Sequence, residues 1–580
     1  MASRSQRVHV VTTSRRYKGQ IYRTHLLRHS YRENGQVKNE TVGNLSHLPE
    51  PVVELIRKAL QGEILAPVTS VFEILSSSPQ GHVQAVLTAM RRLGFATLLA
   101  SRPCPERDLV IAMVAARIVE PYSKLATTRA WHTTTLAADC GVEEASENDL
   151  YAAMDWLLER QSRIESKLAA RHLDEQSLAL YDLTSSYFEG VTCPLAKRGH
   201  NRDGKEGKLQ VNYGLLTDSR GCPVSVSVYP GNTGDATTVL AQVHKIRDEF
   251  GIRSVVLVGD RGMISQKQID QIRQLEDIDW ITALKTGEIR KLLENEGLQM
   301  GLFDERNLFE LTDPGFPGER LVACRNPLLA ERRAHTRQSL IEATTREFEK
   351  VQRMVARGKL KDAAEKEIGL RVGRVANKYS VAKHFEFEIS KGSFTFRLLS
   401  EKVTAEAALD GIYVVRTSLG PERLNTDDTV RSYKLLSNVE RAFRSLKTVD
   451  LKVRPIFHRL EDRVRAHIFL CMLAYYVQWH MLEAWRELLF SDEDPQAHLT
   501  RDPVAPAERS PSALHKAATH TLDDGTEVHS FRTLLKELST IVSNVCRRKQ
   551  SPDTEPPFTM ITTANAKQQR ALKLLEAITV

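Results

Sequence analysis

Residues 178–190 read LALYDLTSSYFEG and carry an acid in the middle of an apolar pattern. Leu178 and Leu180 alternate with smaller or amphipathic neighbours, as on a β-strand with one face in the core. Asp182 falls in the same register, so its carboxylate is predicted to point where the two leucines point. Burying an unpaired charge is costly. The stretch therefore predicts a strand with an acid in its apolar register, whose negative charge has to be offset.

The overall composition is that of an ordinary soluble globular protein. Its 580 residues are 41% hydrophobic and 27% charged, which excludes a disordered chain and suits about three or four domains. No run approaches the roughly 20 apolar residues of a membrane span. The apolar stretch at 467–485 predicts a buried helix, and the N-terminus lacks the apolar core of a signal peptide. We therefore expect a cytoplasmic protein with no membrane partner.

The seven cysteines sit singly along the chain. Their spacing fits neither a disulfide framework nor a zinc knuckle, and is typical of a reducing compartment.

The formal net charge of +8 is a mild indication of an anionic partner. Residues 1–50 hold nine Lys or Arg against three Glu and no Asp. A second basic segment, residues 193–210, follows closely after Asp182 and contains Arg198 and Arg202. We expect these two arginines to contact DNA phosphates if the partner is a nucleic acid.

The first two regions carry no catalytic motif. Residues 1–50 predict a small basic β-hairpin module that turns at Asn34-Gly35, the strongest short hairpin signal. A solvated sheet and a DNA-contacting arm both fit this module. Residues 51–172 predict a helical region, with polar capping residues and apolar residues at three- and four-residue steps. This region is interpreted as a DNA-binding region or as scaffold.

Residues 173–285 change to an α/β pattern. A strand is followed by a hairpin turning at 218–221, a helix that ends at Gly251, and the apolar strand RSVVLVGDRG at 253–262. Three strands in a meander, a helix and a parallel strand ending in an acid is the order of a ribonuclease H-like domain. In that fold the first and fourth strands are neighbours, which brings Asp182 and Asp260 together.

The α/β alternation is then interrupted. Residues 286–405 predict a β-rich insertion around a highly charged helical stretch, interpreted as a solvated helix pair. Residues 406–490 predict the second part of the core, and residues 491–580 a C-terminal helical region. The predicted fold class is thus α/β, a ribonuclease H-like catalytic core interrupted by an insertion, with helical N- and C-terminal regions.

Residues 426–450, TDDTVRSYKLLSNVERAFRSLKTVD, predict one helix with a polar edge. At 100° per residue, Tyr433, Glu440, Arg444 and Lys447 fall within an arc of about 80° beside an apolar arc. Taken in isolation, this edge is better described as a solvated face with a weak Glu440–Arg444 pair.

These motifs together resemble a known family. YDLTSSYFEG at 181–190, VGDRGM at 258–263 and Tyr433, Glu440 and Lys447 in a Y-x6-E-x6-K pattern resemble the catalytic blocks of DDE transposases of bacterial insertion sequences. They are most similar to the branch named for its Tyr-Arg-Glu-Lys signature. The signature arginine is replaced by Leu436. Either Arg444, one turn beyond Glu440, supplies that charge, or the contact is dispensable.

The resemblance implies an enzyme that binds the element's ends and catalyses DNA strand cleavage and strand transfer. Asp182, Asp260 and Glu440 would be catalytic and would seat two divalent cations, Mg²⁺ or Mn²⁺. The partners would be double-stranded DNA, both terminal inverted repeats and target, and a second copy of the chain in a homodimer on DNA. The residues expected to contact DNA are Tyr433, Arg444, Lys447, Arg198 and Arg202.

Two other functions were weighed against this interpretation. A metal-dependent phosphohydrolase of the haloacid dehalogenase type needs a second Asp two residues after its nucleophile, and Thr184 occupies that place. A catalytically inactive DNA-binding remnant of a transposase is the non-enzymatic alternative. All three carboxylates are present, so the sequence contains no sign of inactivation.

Overall fold

The chain forms two units in a computed structural model, which describes residues 8–33, 35–63, 72–190, 192–295, 297–301, 303, 306–357, 365–492, 501–505, 508–549 and 556–580. Unit 1 comprises Met1–Ser78 and Ser543–Thr562, and unit 2 comprises Pro79–Val542 and Thr563–Val580. Residues 79–172, predicted as part of a DNA-binding region, therefore belong to the larger unit.

The secondary structure mixes strands and helices throughout. The strands are β1 (Val8–Tyr17), β2 (Gln20–Glu33), β3 (Gln36–Asn44), β4 (Phe72–Pro79), β5 (Leu178–Tyr187), β6 (Gln210–Thr217), β7 (Pro223–Pro230), β8 (Val255–Gly259), β9 (Ile278–Ala283), β10 (Leu308–Leu311), β11 (Arg320–Arg325), β12 (Phe385–Ser390), β13 (Ser393–Leu398), β14 (Ile412–Thr417), β15 (Val542–Arg548) and β16 (Phe558–Ile561). The α-helices are α1 (Glu50–Leu60), α2 (Gly81–Arg92), α3 (Phe95–Leu99), α4 (Pro105–Val119), α5 (Lys124–Ala130), α6 (Leu136–Cys140), α7 (Glu147–Leu158), α8 (Gln161–His172), α9 (Val239–His244), α10 (Gln266–Ile272), α11 (Thr286–Glu294), α12 (Pro327–Ala356), α13 (Glu365–Lys378), α14 (Ser400–Ala407), α15 (Thr426–Lys434), α16 (Leu436–Arg444), α17 (Glu461–Ala484), α18 (Pro511–Thr519), α19 (Phe531–Leu538) and α20 (Ala566–Glu576).

Unit 1 contains the N-terminal β-sheet. β2 and β3 pair antiparallel down to Glu33 and Gln36, which confirms the predicted hairpin, although Asn34 itself lies outside the described residues. β1 adds a third strand that was not predicted. A second sheet, in the order β16-β15-β4, joins this region to two strands near the C-terminus. The prediction of a purely helical C-terminal region is therefore wrong for these strands, whose partner is distant in sequence.

Unit 2 is organised around an eight-stranded mixed sheet in the order β10-β11-β14-β9-β8-β5-β6-β7, which confirms the predicted α/β class. β5 pairs in parallel with β8, and β8 with β9. The predicted hairpin of β6 and β7 is present. Two strands of the inserted region, β10 and β11, extend this sheet through β14, whereas β12 and β13 form a separate two-stranded sheet.

The central strand β5 is covered on both faces. Leu180 points to one face of the strand and Tyr181 and Leu183 to the other, and all three are buried. Both faces of β5 therefore lie in the interior. The prediction of one core-facing side is therefore wrong. β5 is an interior strand, parallel to β8 and antiparallel to β6. A strand that is packed on both faces has a continuous apolar pattern and not an alternating one.

The helix α17 forms the centre of the helical layer. It packs against α2, α4, α7 and β7, and its residues from Ala466 to Met481 are all buried. A helix that is apolar on every side must be surrounded by protein or lipid. The predicted buried helix is confirmed. None of the helices in the described part of the chain has the length and apolar character that crossing a membrane requires.

The inserted region carries its own apolar cluster. α12 and α13 form the predicted helix pair, with residues 358–364 outside the described part. Their inner sides are apolar, and Phe348 packs against the phenylalanines of the β12–β13 hairpin at ring-centroid distances of 5.0–5.9 Å. The pair is thus only partly solvated.

The helix predicted for residues 426–450 is present over residues 426–449, but it is not one regular α-helix. The chain forms α15, passes through Leu435, continues as α16 and ends in a π-helical segment, Ser445–Val449. A π-helix bonds i to i+5 and therefore turns its residues away from the register of an α-helix. The predicted apolar arc is nevertheless buried, at Val439, Ala442, Phe443 and Leu446.

The β6–β7 turn supports α16 through a close contact. Gly221 has a φ of +86°, and a Cβ at this position would lie 2.8 Å from the Cβ of Asn438. The Asn438 amide also donates a hydrogen bond to the Ser219 carbonyl at 3.2 Å. Only glycine fits both the backbone conformation and the space.

We expect Gly221→Ala to lower the free energy of unfolding by about 2–4 kcal/mol, because left-handed strain and overpacking act together. Gly234→Ala is the matched control, since Gly234 has a φ of −76° and open space around its Cα. Urea unfolding followed by circular dichroism measures both. Equal stability of the two variants would contradict the proposed close contact.

Candidate active site

Asp182 lies at the centre of the sheet, in β5. Its Oδ1 accepts a hydrogen bond from the backbone N–H of Leu183 at 2.7 Å. Its side chain is only partly exposed, and among the described residues no cation forms an ion pair with it. The carboxyl group is therefore held in the interior with one backbone donor.

The pKa of Asp182 is raised from 3.8 to about 7. Burial is the largest cause, and the Leu183 N–H and the charge of Arg202 only partly offset it. The neighbouring carboxylates Asp260 and Glu440 raise the pKa further. At neutral pH this group is therefore divided between its protonated and ionised forms, which is unusual for an aspartate.

Asp260 follows directly after β8, at the carboxyl end of that strand. β8 and β5 pair with Tyr181 opposite Gly259. Asp182 and Asp260 follow these two residues, so the parallel pairing brings the two acids side by side, as predicted. The Tyr433 hydroxyl donates to Asp260 Oδ1 at 3.5 Å, and the Gly262 N–H donates to Oδ2 at 3.4 Å. Burial and the charge of Asp260 raise the pKa of Tyr433, which keeps the phenol protonated as a donor.

Glu440 is exposed on α16. The helix packs against β5 through its buried side, where the Phe443 ring meets the Tyr213 ring edge-on at a centroid distance of 5.9 Å. The opposite side is left to Glu440, whose charge reaches both Asp182 and Tyr433. Three separate elements, β5, β8 and α16, thus bring the three predicted acids together.

The acids are neighbours but are not drawn into a tight cluster. Their ligand oxygens do not all lie within 4.8 Å of one another, as expected for like charges that repel. The donor set consists of carboxylate oxygens alone, which is the ligand type that Mg²⁺ and Mn²⁺ prefer. The residues therefore fit one or more hard divalent cations.

Lys447 leaves the polar edge and enters the interior, contrary to the helical-wheel prediction. Its ammonium group donates to Thr184 Oγ1 at 3.0 Å and lies 2.6 Å from Asp203 Oδ1. Arg454 contacts the same carboxylate, and the Tyr187 N–H donates to its other oxygen at 3.0 Å. Asp203 and Arg454 were not identified from sequence, because nothing in a basic loop marks one acid as buried.

Arg202 lies beside Asp182, while Arg198 is exposed. The Arg202 guanidinium donates to the Leu183 carbonyl and to Asp235, and its backbone N–H donates to Ser185 Oγ at 3.3 Å. Arg202 therefore ties the basic loop to β5, a contact that its place in a charged segment did not reveal.

Leu436, which replaces the signature arginine, and Arg444, which could supply its charge, differ in burial. Leu436 is partly buried and packs against the core. Arg444 is exposed, and its guanidinium has no partner among the described residues. The predicted Glu440–Arg444 pair is thus not formed, and the Arg444 charge is open to solvent.

The chain matches two family models. The model described as the transposase DDE domain matches residues 174–477, more than half of the chain, and includes β5, β8 and α16. The model of the IS1634 family transposase N-terminal domain matches residues 10–66. None of the curated proteins matches the chain.

The raised pKa of Asp182 predicts a pH-dependent gain in stability for Asp182→Asn. Between pH 4 and 7 the folded carboxyl keeps a proton that the unfolded one has lost, so the free energy of unfolding falls as pH rises. At about 1.36 kcal/mol per pKa unit, the penalty is at most about 4 kcal/mol above pH 7. In chelator, Asp182→Asn should therefore unfold later than wild type at pH 8, and this advantage should fade at pH 4.5.

Glu276→Gln serves as the control, because it removes an exposed carboxylate between α10 and β9. The melting temperatures of wild type, Asp182→Asn and Glu276→Gln are measured by thermal unfolding at both pH values. A variant Asp182→Asn that is no more stable than wild type at pH 8 would contradict the buried charge.

Proposed function

Because the chain belongs to the DDE transposase family of insertion sequences, we propose that it cuts the ends of its own element and joins them to target DNA. DNA is the partner that this family membership implies. The proposal includes a ribonuclease H-like core, membership of the Tyr-Arg-Glu-Lys branch and a homodimer that pairs two element ends.

The observation that carries the proposal is the convergence of Asp182, Asp260 and Glu440 from β5, β8 and α16, and the raised pKa of Asp182 is one consequence of it. Three carboxylates that converge without cationic partners are electrostatically unfavourable. An all-oxygen donor set of this kind becomes favourable when divalent cations are bound. Two such cations would activate the attacking oxygen and stabilise the leaving oxygen of an in-line displacement at phosphorus.

The surrounding side chains support the same chemistry. Tyr433 donates to Asp260 and so orients that carboxylate. The Lys447–Thr184 hydrogen bond holds the end of α16 against β5 two residues beyond Asp182. The exposed cations Arg198 and Arg444 would contact phosphates on the approaching DNA, since charged surface groups supply most backbone contacts.

Both alternatives make different predictions. In a haloacid dehalogenase-type phosphohydrolase the side chain two residues after the nucleophile acts as an acid, but Thr184 is a hydroxyl that accepts from Lys447. An inactive remnant would bind element ends and leave them uncut.

End recognition is proposed for the N-terminal part of the chain, residues 1–172. The match of residues 10–66 to an N-terminal transposase domain supports the first portion of this range. The helices α2, α4 and α7 contribute to the core of unit 2 through α17, so we assign them a supporting role next to DNA.

The experiment that tests the function is cleavage of a labelled DNA end. The substrate is a fragment that carries one terminal inverted repeat from the DNA flanking the coding sequence, incubated with Mg²⁺. We expect Asp182→Asn, Asp260→Asn and Glu440→Gln each to reduce nicking by more than about 100-fold, because loss of a direct ligand exceeds the roughly 10- to 100-fold effect of outer partners. DNA binding in a gel shift should be retained.

Glu276→Gln is again the control and should cut like wild type. A wild-type protein that binds the end without nicking it would favour the inactive remnant. Near wild-type nicking by any of the three variants would remove that residue from the site.

The exposed guanidinium of Arg444 predicts a contact with DNA. Arg444→Ala should leave the melting temperature unchanged and lower affinity for the end, with a salt slope reduced by about one. Arg441→Ala is the matched control, because Arg441 is also exposed on α16 but is turned away from Glu440 by about 100°. Equal affinity of the two variants would exclude compensation for Leu436 by Arg444.

A further inference from the structure

A second group of potential metal ligands lies outside the carboxylate site. His172 is the last residue of α8, Cys222 follows the β6–β7 turn, and His480 lies in α17. Across the described residues, this is the only set of three His, Cys, Asp or Glu whose ligand atoms all lie within 4.8 Å of one another. Elements far apart in sequence thus converge on one small volume.

The distances are close to those of a tetrahedral site. Cys222 Sγ lies 3.9 Å from His172 Nε2 and 3.9 Å from His480 Nε2. In a tetrahedral shell with Zn–N and Zn–S bonds of about 2.0–2.3 Å, such atoms are about 3.6 Å apart. Both sulfur–nitrogen distances are therefore within a few tenths of an ångström of those in such a shell.

We propose that His172, Cys222 and His480 bind one Zn²⁺ ion at a site separate from the three carboxylates. Two imidazole nitrogens and a thiolate are ligands typical of zinc, whereas Mg²⁺ prefers oxygen. A water molecule completes the shell, and the Tyr476 hydroxyl, 3.2 Å from His172 Nε2, is placed to hydrogen-bond to it.

The protonation states are compatible with this role. Burial lowers the pKa of His172 to about 4 and that of His480 to about 3, so both rings are neutral and carry a lone pair at neutral pH. Burial raises the pKa of the Cys222 thiol well above its usual range. Formation of the Zn–S bond therefore releases one proton from this thiol to solvent.

Two neighbouring contacts have to change on binding. The Tyr476 hydroxyl hydrogen-bonds to His172 Nε2 at 3.2 Å, and it turns to the water when that nitrogen binds the ion. Arg220 Nη2 lies 3.3 Å from His172 Nδ1, and an ion on Nε2 places the ring hydrogen on that nitrogen. The Arg220 side chain is 60% exposed and is already paired with Asp218 at 2.7 Å. It can therefore turn towards Asp218 while the ring binds the ion.

The site would stiffen the support of α16. The β6–β7 turn that precedes Cys222 contacts Asn438 through Ser219 and Gly221, two residues before Glu440. An ion that joins this turn to α8 and α17 fixes the turn on which α16 rests. Its role is thus structural, acting on the position of Glu440 and not on the reaction.

Cobalt substitution in the full-length protein tests the proposal. Protein stripped with chelator is titrated with Co²⁺, and thiolate ligation is read from the near-ultraviolet charge-transfer band together with the visible bands of a tetrahedral ion. We expect one equivalent of Co²⁺ per chain, displaced by Zn²⁺ and unaffected by excess Mg²⁺. No stoichiometric band at micromolar Co²⁺ would overturn the proposal.

Variants assign the ligands. Cys222→Ser should lose the charge-transfer band, and His480→Gln should bind at least tenfold more weakly. Cys471→Ser is the matched control, since Cys471 is also buried and lies 3.9 Å from one histidine, His467, and it should keep the band. Asp182→Asn should keep it as well, which separates this site from the carboxylates. A band that persists in Cys222→Ser would refute the assignment.

Folding of each variant is checked by circular dichroism before titration. If Cys222→Ser does not fold, Cys222→Ala and His480→Gln are compared by the rise in melting temperature that Zn²⁺ produces in wild type. Retention of the full rise in both variants would equally overturn the proposal.

Discussion

The parallel pairing of β5 with β8 places Asp182, in the middle of β5, beside Asp260, which follows the carboxyl end of β8. The remaining site is arranged around that juxtaposition. Because both faces of β5 are covered, Asp182 can lose its proton only at a cost that moves its pKa to about 7. The ionised form of Asp182 is thus electrostatically unfavourable in this fold. A strand selected only for stability would carry an apolar residue there, so the unfavourable charge itself indicates function.

The cations near Asp182 are engaged elsewhere. Lys447 and Arg454 share the buried carboxylate of Asp203, and Arg202 is held by Asp235 and the Leu183 carbonyl. The charge of Arg202 therefore lowers the pKa of Asp182 without occupying its oxygens. A direct salt bridge would compete with bound divalent cations, whereas this arrangement keeps the carboxylate available and the loop of residues 197–208 attached to β5.

The position of Glu440 depends on supports that lie behind α16. The buried side of α16 packs against β5, and its Phe443 ring meets Tyr213 of β6. The first turn of α16 rests on the β6–β7 turn through Asn438. The π-helical segment then turns Lys447 inwards, towards Thr184. The helix α16 is thus fixed at both ends, and the proposed zinc site would strengthen the support at its first turn.

The sequence by itself determined the local elements and the three acids. The apolar run of β8, the hairpin of β6 and β7 and the buried α17 follow from short-range patterns, and the order of the strands predicted that Asp182 and Asp260 would meet. Only the tertiary structure decided which polar residues pair: the burial of Asp203 and Lys447, the contact of Arg202 with Asp235 and the convergence of His172, Cys222 and His480. Periodicity assigns a residue to a face, assuming a regular helix or strand. It carries no information on contacts between distant segments, and it fails where a π-helical turn or a strand covered on both faces changes the register.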